Sequence, residues 1–302
     1  MSVDSSVRDS RLPSPRDLLK HSVRGLGVAT SSLRSPPDFL VIGAKRGGTT
    51  SFYYDLLDHP SVLPLFPPPI PRLKTEATKG AHFFDSNFTR GPRWYASYFP
   101  TRTTRYVAAR RAASTVVTGE ASPYYLFHPA AAERAYALVP GAKIIVLLRD
   151  PVERTYSHWK ERRRSRAEDL QFREALGAEP GRLVGERERL LRDPAYHSNA
   201  WEQQSYATQS VYVDALEPWV RLFGRRRVLA LASEDYYTDP AAALGTAHDF
   251  LDIPGWPSTP GTVRNAAAGE PLPPDLLAQL RARFAEPNRR LEQLLGMTFP
   301  WS

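Results

Sequence analysis

The sequence contains no cysteine, which excludes disulfide bonds, thiolate nucleophiles and cysteine-based zinc sites. It also lacks long apolar runs, because the longest, such as residues 144–148, have the length of a strand and not the ~20 residues that a membrane span needs. Residues 1–37 include basic side chains but no apolar stretch of the kind found in secretory signals. We therefore expect a cytoplasmic protein without a transmembrane segment.

What the chain does contain is enough apolar sequence for a sizeable core and an excess of positive charge. It has 302 residues, of which 42% are hydrophobic, and its formal net charge of +8 corresponds to an isoelectric point near 9.7. A basic protein concentrates anions around itself, which suits a nucleic acid, an anionic membrane surface, a polyanionic sugar or a phosphorylated cofactor. The net charge alone does not indicate which of these anionic partners the protein binds.

The order of apolar and amphipathic segments predicts an α/β domain. Residues 1–37 are rich in Ser, Arg and Pro and are predicted to be a basic, flexible segment with one short helix near residues 16–23. In the domain, 38–302, the predicted strands are 38–43, 116–120, 143–148 and 228–232, and the predicted helices are 49–58, 129–138, 152–166, 205–223, 240–251 and 274–295. Strands that alternate with helices favour a parallel sheet covered on both faces.

The segment Gly43-Ala-Lys-Arg-Gly-Gly-Thr-Thr50 joins the first predicted strand to the first predicted helix. Its glycines let the backbone turn tightly so that N–H groups face inward, and the helix start adds partial positive charge. Further donors come from the side chains of Lys45, Arg46, Thr49 and Thr50. A glycine turn that merely opens a helix is the alternative, but the flanking strand and helix are the context of a phosphate-binding loop.

This loop differs from the Walker A motif at one position, where Thr49 stands in place of the lysine. An ATP-dependent kinase needs that lysine at the phosphates that it transfers. The sequence therefore disfavours a kinase and indicates a loop whose cations come earlier, at Lys45 and Arg46.

A second phosphate-binding pattern lies further along the chain, in residues 143–157. Here an apolar strand runs into Arg149-Asp150-Pro151 and then into a helix that carries Ser157. An arginine at a strand end and a hydroxyl two turns into the next helix can converge on one phosphate. Asp150 as a metal ligand of the Walker B kind is the alternative, but Pro151 and the flanking arginines fit a phosphate better.

The two motifs together resemble those of sulfotransferases that use 3′-phosphoadenosine 5′-phosphosulfate (PAPS), especially the heparan sulfate 3-O- and N-sulfotransferase branch. Further stretches that resemble this branch are 82–85, 120–125, 210–219, 234–240 and 284–301. The resemblance covers nearly the whole of residues 38–302 and implies a single domain with a P-loop-type central parallel sheet of about four or five strands. It implies transfer of a sulfuryl group from PAPS to a hydroxyl or amine, with no metal.

The same resemblance implies which residues form the site. The donor is expected to be held by Lys45, Arg46, Gly47, Gly48, Thr49, Thr50, Arg149, Ser157 and Tyr212. The acceptor is expected to contact Lys79, Glu120 and Tyr124, and Asp85 is expected to hold either the acceptor or the histidine at position 82. The acceptor is expected to enter beside the proline-dense segment 60–71, which is predicted to be a surface loop. Arg46 is also expected to act in catalysis by stabilising the leaving 5′-phosphate.

Two positions depart from the heparan sulfate branch. Gly80 stands where the branch has a glutamate, two residues before the histidine, and Ala121 stands where it has a lysine near the sulfuryl group. His82 is therefore the first candidate for the catalytic base, since its pKa lies near neutral pH, and Glu76 is the alternative. The missing positive charge is expected to come from Lys79 or Lys45.

The expected acceptor is a carbohydrate, or a glycosylated or other small molecule. The rival functions are a nucleotide-dependent kinase and a basic nucleic-acid-binding protein, although no nucleic-acid partner is expected. The sequence does not indicate an oligomeric state.

Overall fold

The computed structural model describes residues 25, 27–66, 78–257 and 272–301. A five-stranded parallel sheet forms its core, in the strand order β2-β3-β1-β4-β5. The strands are β1 (Phe39–Gly43), β2 (Val62–Leu63), β3 (Val117–Ala121), β4 (Lys143–Leu148) and β5 (Val228–Ala232). The predicted α/β class and parallel sheet are confirmed, and β4 and β5 have the predicted bounds.

Helices alternate with the strands in the order that the sequence predicts. They are α1 (Thr49–Leu57), α2 (Pro92–Ala96), α3 (Arg102–Ala112), α4 (Ala131–Leu138), α5 (Pro151–Arg164), α6 (Phe172–Arg182), α7 (Glu186–Arg192), α8 (Asn199–Gln203), α9 (Tyr212–Phe223), α10 (Ser233–Thr238), α11 (Pro240–Phe250) and α12 (Pro274–Leu295). The predicted helix 274–295 coincides with α12. The predictions for α1, α4, α5 and α11 are correct to within two residues at each end.

Helices cover both faces of the sheet because the central strands are apolar on both sides. β1 and β4 are almost entirely apolar, and successive side chains of a strand point to opposite faces. On one face, Leu40 and Ile144 pack with Trp219 of α9, in a cluster that extends to α4 and α12. On the other face, Val41 and Ile145 pack against α1 and α11.

The carboxyl ends of the strands meet at one edge of the sheet. β3 and β4 lie on either side of β1, so the chain turns in opposite directions on the two sides of this strand. In parallel α/β sheets, ligands bind at such a switch point. The glycine-rich segment follows β1 at this edge, Ser122 follows β3, Arg149 follows β4 and Ser233 follows β5.

Several helices of the structure are not predicted from the sequence, namely α2, α3, α6, α7, α8 and α10. They lack a clear apolar period: α3 buries no residue, and α6 contains Pro180. The predicted helix 205–223 begins only at Tyr212, because a 3₁₀ turn at Thr208–Ser210 precedes it.

The predicted N-terminal segment and proline-dense loop are described only in part. The guanidinium of Arg34 donates to the carbonyl of Phe99, so the last residues of the N-terminal segment pack on the domain. The proline-dense loop begins with β2, a two-residue edge strand, where neighbouring prolines are tolerated. The predicted helix near 16–23 and residues 67–71 lie outside the described residues. Within the described ranges, none of the helices is both long and apolar enough to cross a bilayer.

Candidate active site

The glycine loop, residues 43–50, leaves β1 and enters α1 as predicted. Gly48 is the N-cap of α1 and has a φ of 85°, a left-handed conformation that favours glycine. At Gly47, a Cβ would lie 2.7 Å from the carbonyl oxygen of Leu147 in β4, so a side chain here would collide with the sheet. A glycine turn that opens directly into a helix N-terminus is suited to bind a phosphate.

The two predicted phosphate-binding motifs meet through a side-chain contact. Nε of Arg46 donates to Oγ of Ser157 over 3.1 Å, although the two residues are 111 positions apart in the chain. Arg149, at the end of β4, makes a long contact of 3.4 Å with Glu153. Burial lowers the pKa of Arg46, and the charges of Arg149 and Arg164 act in the same direction. An anion bound among these residues would relieve the repulsion between the guanidinium groups.

Lys45 has different partners from Arg46. Its ammonium donates to Oε1 of Glu202 in α8 over 2.8 Å and lies 5.0 Å from the ring centroid of Tyr124. Glu202 is close enough to His82 for its charge to help raise the pKa of that histidine. The Lys45–Glu202 pair therefore lies on the side of the site that carries His82.

Arg154 is a residue of the site that the sequence did not reveal. It is fully buried, and it donates to the carbonyl of Lys45 (3.0 Å), the carbonyl of Tyr206 (2.9 Å) and Oε1 of Gln209 (2.6 Å). Burial lowers its pKa to about 10, so the side chain remains a cation at neutral pH. Because these three partners are neutral oxygens, Arg154 adds positive potential behind the glycine loop. An arginine in a helix with many other arginines carries no signal of burial in the sequence.

Side chains at the end of β3 and just after it hold the segment that contains His82, through hydrogen bonds from the backbone amides of that segment. The three consecutive amides of residues 81–83 donate in turn to Oε2 of Glu120 (2.6 Å), Oγ of Ser122 (3.0 Å) and the hydroxyl of Tyr125 (2.7 Å). Glu120 is fully buried and also accepts from the hydroxyls of Ser122 (2.7 Å) and Tyr125 (2.8 Å). We call these three residues the β3 platform. Their contacts fix the path of residues 81–83.

The platform also accounts for the glycine at position 80. A Cβ on Gly80 would lie 2.4 Å from Oγ of Ser122 and 2.5 Å from the carbonyl oxygen of Ala121. The amide of Ala121 donates to the carbonyl of Lys79 over 2.9 Å, which brings the two backbones together. The close approach leaves no space for a glutamate side chain at position 80.

His82 and Asp85 form a hydrogen-bonded pair above the platform. Nδ1 of His82 lies 2.9 Å from Oδ2 of Asp85, whose side chain is fully buried, whereas the His82 side chain is 43% exposed. Burial alone would lower the pKa of His82, but the hydrogen bond and charge of Asp85, helped by the charges of Glu120 and Glu202, outweigh it and raise the pKa. With Nδ1 engaged by Asp85, Nε2 is the nitrogen left to exchange a proton with a bound molecule.

Lys79 connects the histidine segment to the glycine loop. Its ammonium donates to the hydroxyl of Thr50 over 2.8 Å and lies 3.4 Å from that of Thr49. Burial lowers the pKa of Lys79 to about 8. This places a half-buried ammonium beside the start of α1, where it can act on an anion bound by the glycine loop.

Two predicted tyrosines are buried in the structure. The hydroxyl of Tyr212 donates to the carbonyl of Arg149 over 2.9 Å and so supports the end of β4. Tyr124 is 3% exposed, and its hydroxyl has no hydrogen-bond partner within the part of the chain that the structure describes. Glu76, the alternative base, lies outside the described residues. Glu120 is predicted to contact the acceptor, and Asp85 to hold either the acceptor or the histidine. Both are buried: Asp85 pairs with His82, and Glu120 accepts from the backbone amide of Ala81.

The comparisons with known proteins agree on one family. A family model for the sulfotransferase domain matches residues 36–265. A crystal structure of a sulfotransferase from Alicyclobacillus acidocaldarius is 28% identical to this chain and has a TM-score of 0.62, covering 88% of this chain and 98% of that one. Such a match supports a shared fold over nearly the whole of the neighbour.

Curated relatives match at similar identity. The heparan sulfate glucosamine 3-O-sulfotransferase 6 of Mus musculus is 27% identical over 95% of this chain and 80% of the relative. The membrane-associated sulfotransferase kil1 of Dictyostelium discoideum is 24% identical over 88% and 66%. The bifunctional heparan sulfate N-deacetylase/N-sulfotransferase 3 of Homo sapiens is 31% identical over 72% and 22%. The chain thus spans only a minor part of the bifunctional relative and just under two thirds of kil1.

Proposed function

This chain belongs to the sulfotransferase family, and we propose that it transfers a sulfuryl group from PAPS to a hydroxyl or amine of a carbohydrate or another small molecule. The observation that carries the proposal is the hydrogen bond between Arg46 and Ser157, which joins the two phosphate-binding motifs in one site. PAPS carries an anionic group on both sides of its ribose and needs two anion sites. The glycine loop offers one, and Arg149 with Ser157 offers the other.

The glycine loop is proposed to stabilise the leaving group. In the transfer, the bond between sulfur and the bridging oxygen of the 5′-phosphate breaks, and a bond from sulfur to the acceptor atom forms. Negative charge grows on the departing phosphate, where Arg46 and the start of α1 stabilise it. Lys79, held beside the loop by Thr50, supplies the further positive charge that relatives of the heparan sulfate branch take from a lysine at position 121.

His82 is proposed to remove the proton of the acceptor. Nε2 takes the proton as the new bond to sulfur forms, and Asp85 keeps the ring oriented through Nδ1 and stabilises the resulting imidazolium. The part-exposed ring and the fully buried carboxylate suit these two roles. Glu76 remains the alternative base.

The acceptor is proposed from the likeness to carbohydrate sulfotransferases. Two of the relatives carry heparan sulfate in their names. The β3 platform leaves no space for the glutamate of that branch at position 80, so we do not extend the proposal to heparan sulfate itself. A cytoplasmic location, and a reaction without metal or nucleic-acid partners, are part of the proposal.

A thermal-shift experiment tests the donor. Adenosine 3′,5′-bisphosphate, the product left after transfer, is expected to raise the melting temperature without magnesium, because it binds only the folded state. Stabilisation by magnesium-ATP alone would favour a kinase, and salt-sensitive binding of duplex DNA without a nucleotide effect would favour a nucleic-acid-binding protein. Transfer of label from ³⁵S-PAPS to a panel of sugars and hydroxylated metabolites then identifies the acceptor.

A further inference from the structure

Tyr237 lies on α10, just after β5, and its side chain reaches the glycine loop. A Cβ added to Gly48 would lie 2.6 Å from the Tyr237 hydroxyl oxygen and 3.1 Å from its Cζ atom. Ser233, at the start of the same helix, donates to the carbonyl of Gly47 over 2.8 Å and fixes α10 against the loop. The phenol is therefore held at the N-cap of α1, the point from which the helix presents its amides to an anion.

Charges of both signs act on this hydroxyl. Burial raises the pKa of Tyr237, and the charges of Glu234 and Asp55 act in the same direction, whereas the charges of Arg149 and Arg46 lower it. The residue is 38% exposed, and its hydroxyl makes no hydrogen bond to any residue in the described ranges. A phenol hydroxyl at a helix N-terminus can donate to an anion that binds there, and the charges of Arg46 and Arg149 favour such an anion.

We propose that the Tyr237 hydroxyl donates a hydrogen bond to an oxygen of the 5′-phosphate group of the donor nucleotide. The proposal rests on the proposed function, since it takes PAPS as the donor. The contact with Gly48 assigns the hydroxyl to the 5′ group, because the glycine loop is the 5′ site, whereas Arg149 and Ser157 form the 3′ site. Tyr237 is thus a donor-binding residue outside both motifs.

Calorimetric binding of two nucleotides tests this contact. Tyr237→Phe removes the hydroxyl and keeps the ring, and it is expected to weaken binding of adenosine 3′,5′-bisphosphate about tenfold, as for the loss of one hydrogen bond to a charged group. Adenosine 5′-phosphate, which lacks the 3′-phosphate, is expected to lose affinity by the same factor. Tyr136→Phe is the matched control, because Tyr136 has similar exposure, at 41%, and packs on Phe223 in another part of the molecule.

Three outcomes would overturn the contact. If Tyr237→Phe binds the bisphosphate as tightly as the wild type does, while Tyr237→Ala does not, the ring and not the hydroxyl is the contact. Wild-type affinity in both variants would remove Tyr237 from the donor site altogether. A loss that appears with the bisphosphate and not with adenosine 5′-phosphate would move the hydroxyl to the 3′ side. Failure of the wild-type protein to bind either nucleotide would instead overturn the proposed function, so the two proposals fail in distinguishable ways.

Discussion

The donor and acceptor halves of the site are built in different ways. The donor half, formed by the glycine loop with Arg149 and Ser157, consists of residues that directly follow β1 and β4 or lie in the next helix. The acceptor half, residues 79–85, owes its shape to the β3 platform, whose side chains bind backbone amides 39 to 42 positions earlier in the chain. A strand end positions the first half, and long-range hydrogen bonds position the second. Apart from changes at Lys79, whose ammonium contacts the glycine loop, changes in one half are therefore expected to leave the other intact.

The largest expected effect is at the base. His82→Ala is expected to lower kcat by about 10²- to 10⁴-fold, the usual contribution of a general base, without changing the affinity for adenosine 3′,5′-bisphosphate. Transfer of ³⁵S from PAPS to an acceptor that the wild type sulfates gives kcat, and calorimetry gives the affinity. Wild-type turnover would move the base to Glu76, and a parallel loss of nucleotide affinity would show that the halves are not independent.

The second prediction concerns the donor half, where a substitution should weaken nucleotide binding without lowering kcat. Arg149→Ala is expected to weaken binding of adenosine 3′,5′-bisphosphate about 10- to 100-fold, because a charge-assisted contact to the 3′-phosphate is lost, while kcat at saturating PAPS stays near the wild-type value. Arg173→Ala is the control, since Arg173 forms an exposed pair with Asp275. Equal affinities for Arg149→Ala and the wild type would take Arg149 out of the donor site.

The β3 platform is tested by adding one methyl group. Gly80→Ala places a Cβ against Ser122 and Ala121, and it is expected to lower the free energy of unfolding by about 1–3 kcal/mol and to lower kcat by displacing His82. Gly141→Ala is the control, because a Cβ there meets no atom within 4 Å. Urea denaturation measures both variants. An unchanged unfolding free energy for Gly80→Ala would contradict the tight packing of this segment.

The smallest expected effect is at the contact between the halves. Lys79 has a pKa lowered to about 8, so it is a cation below that pH and becomes neutral above it. Affinity for adenosine 3′,5′-bisphosphate is therefore expected to fall as the pH rises through about 8, and Lys79→Met is expected to weaken binding at pH 7 by about three- to tenfold and to remove this step. Lys143→Met is the control, because Lys143 lies at the start of β4, the end away from the site, and this variant should keep the fall in affinity near pH 8. If the fall in affinity near pH 8 persists in Lys79→Met, it is caused by the titration of another residue.

The same difference explains which parts could be predicted from the sequence. Arg46 and Ser157 could be identified because each lies in a short motif next to an apolar strand, and parallel strands bring such motifs to one edge. The partner of Lys45 could not be identified from the sequence, since Glu202 lies in α8, a five-residue helix without an apolar period. From the sequence, Gly80 is recognised only as the absence of the glutamate that the heparan sulfate branch has at this position. The close approach of Ser122 in the structure shows that the position has no space for a side chain.

Arg154 has a consequence for the order in which the chain assembles. Its guanidinium joins the carbonyl of Lys45 to residues 206–209, so the two ends of this link lie far apart in the chain. A fragment that stops before residue 206 would bury a cation without two of its acceptors, which is strongly destabilising. We therefore expect the glycine loop to take its final shape only after residues 206–209 have been made. Nucleotide binding by a split protein is expected to appear only when the two pieces recombine.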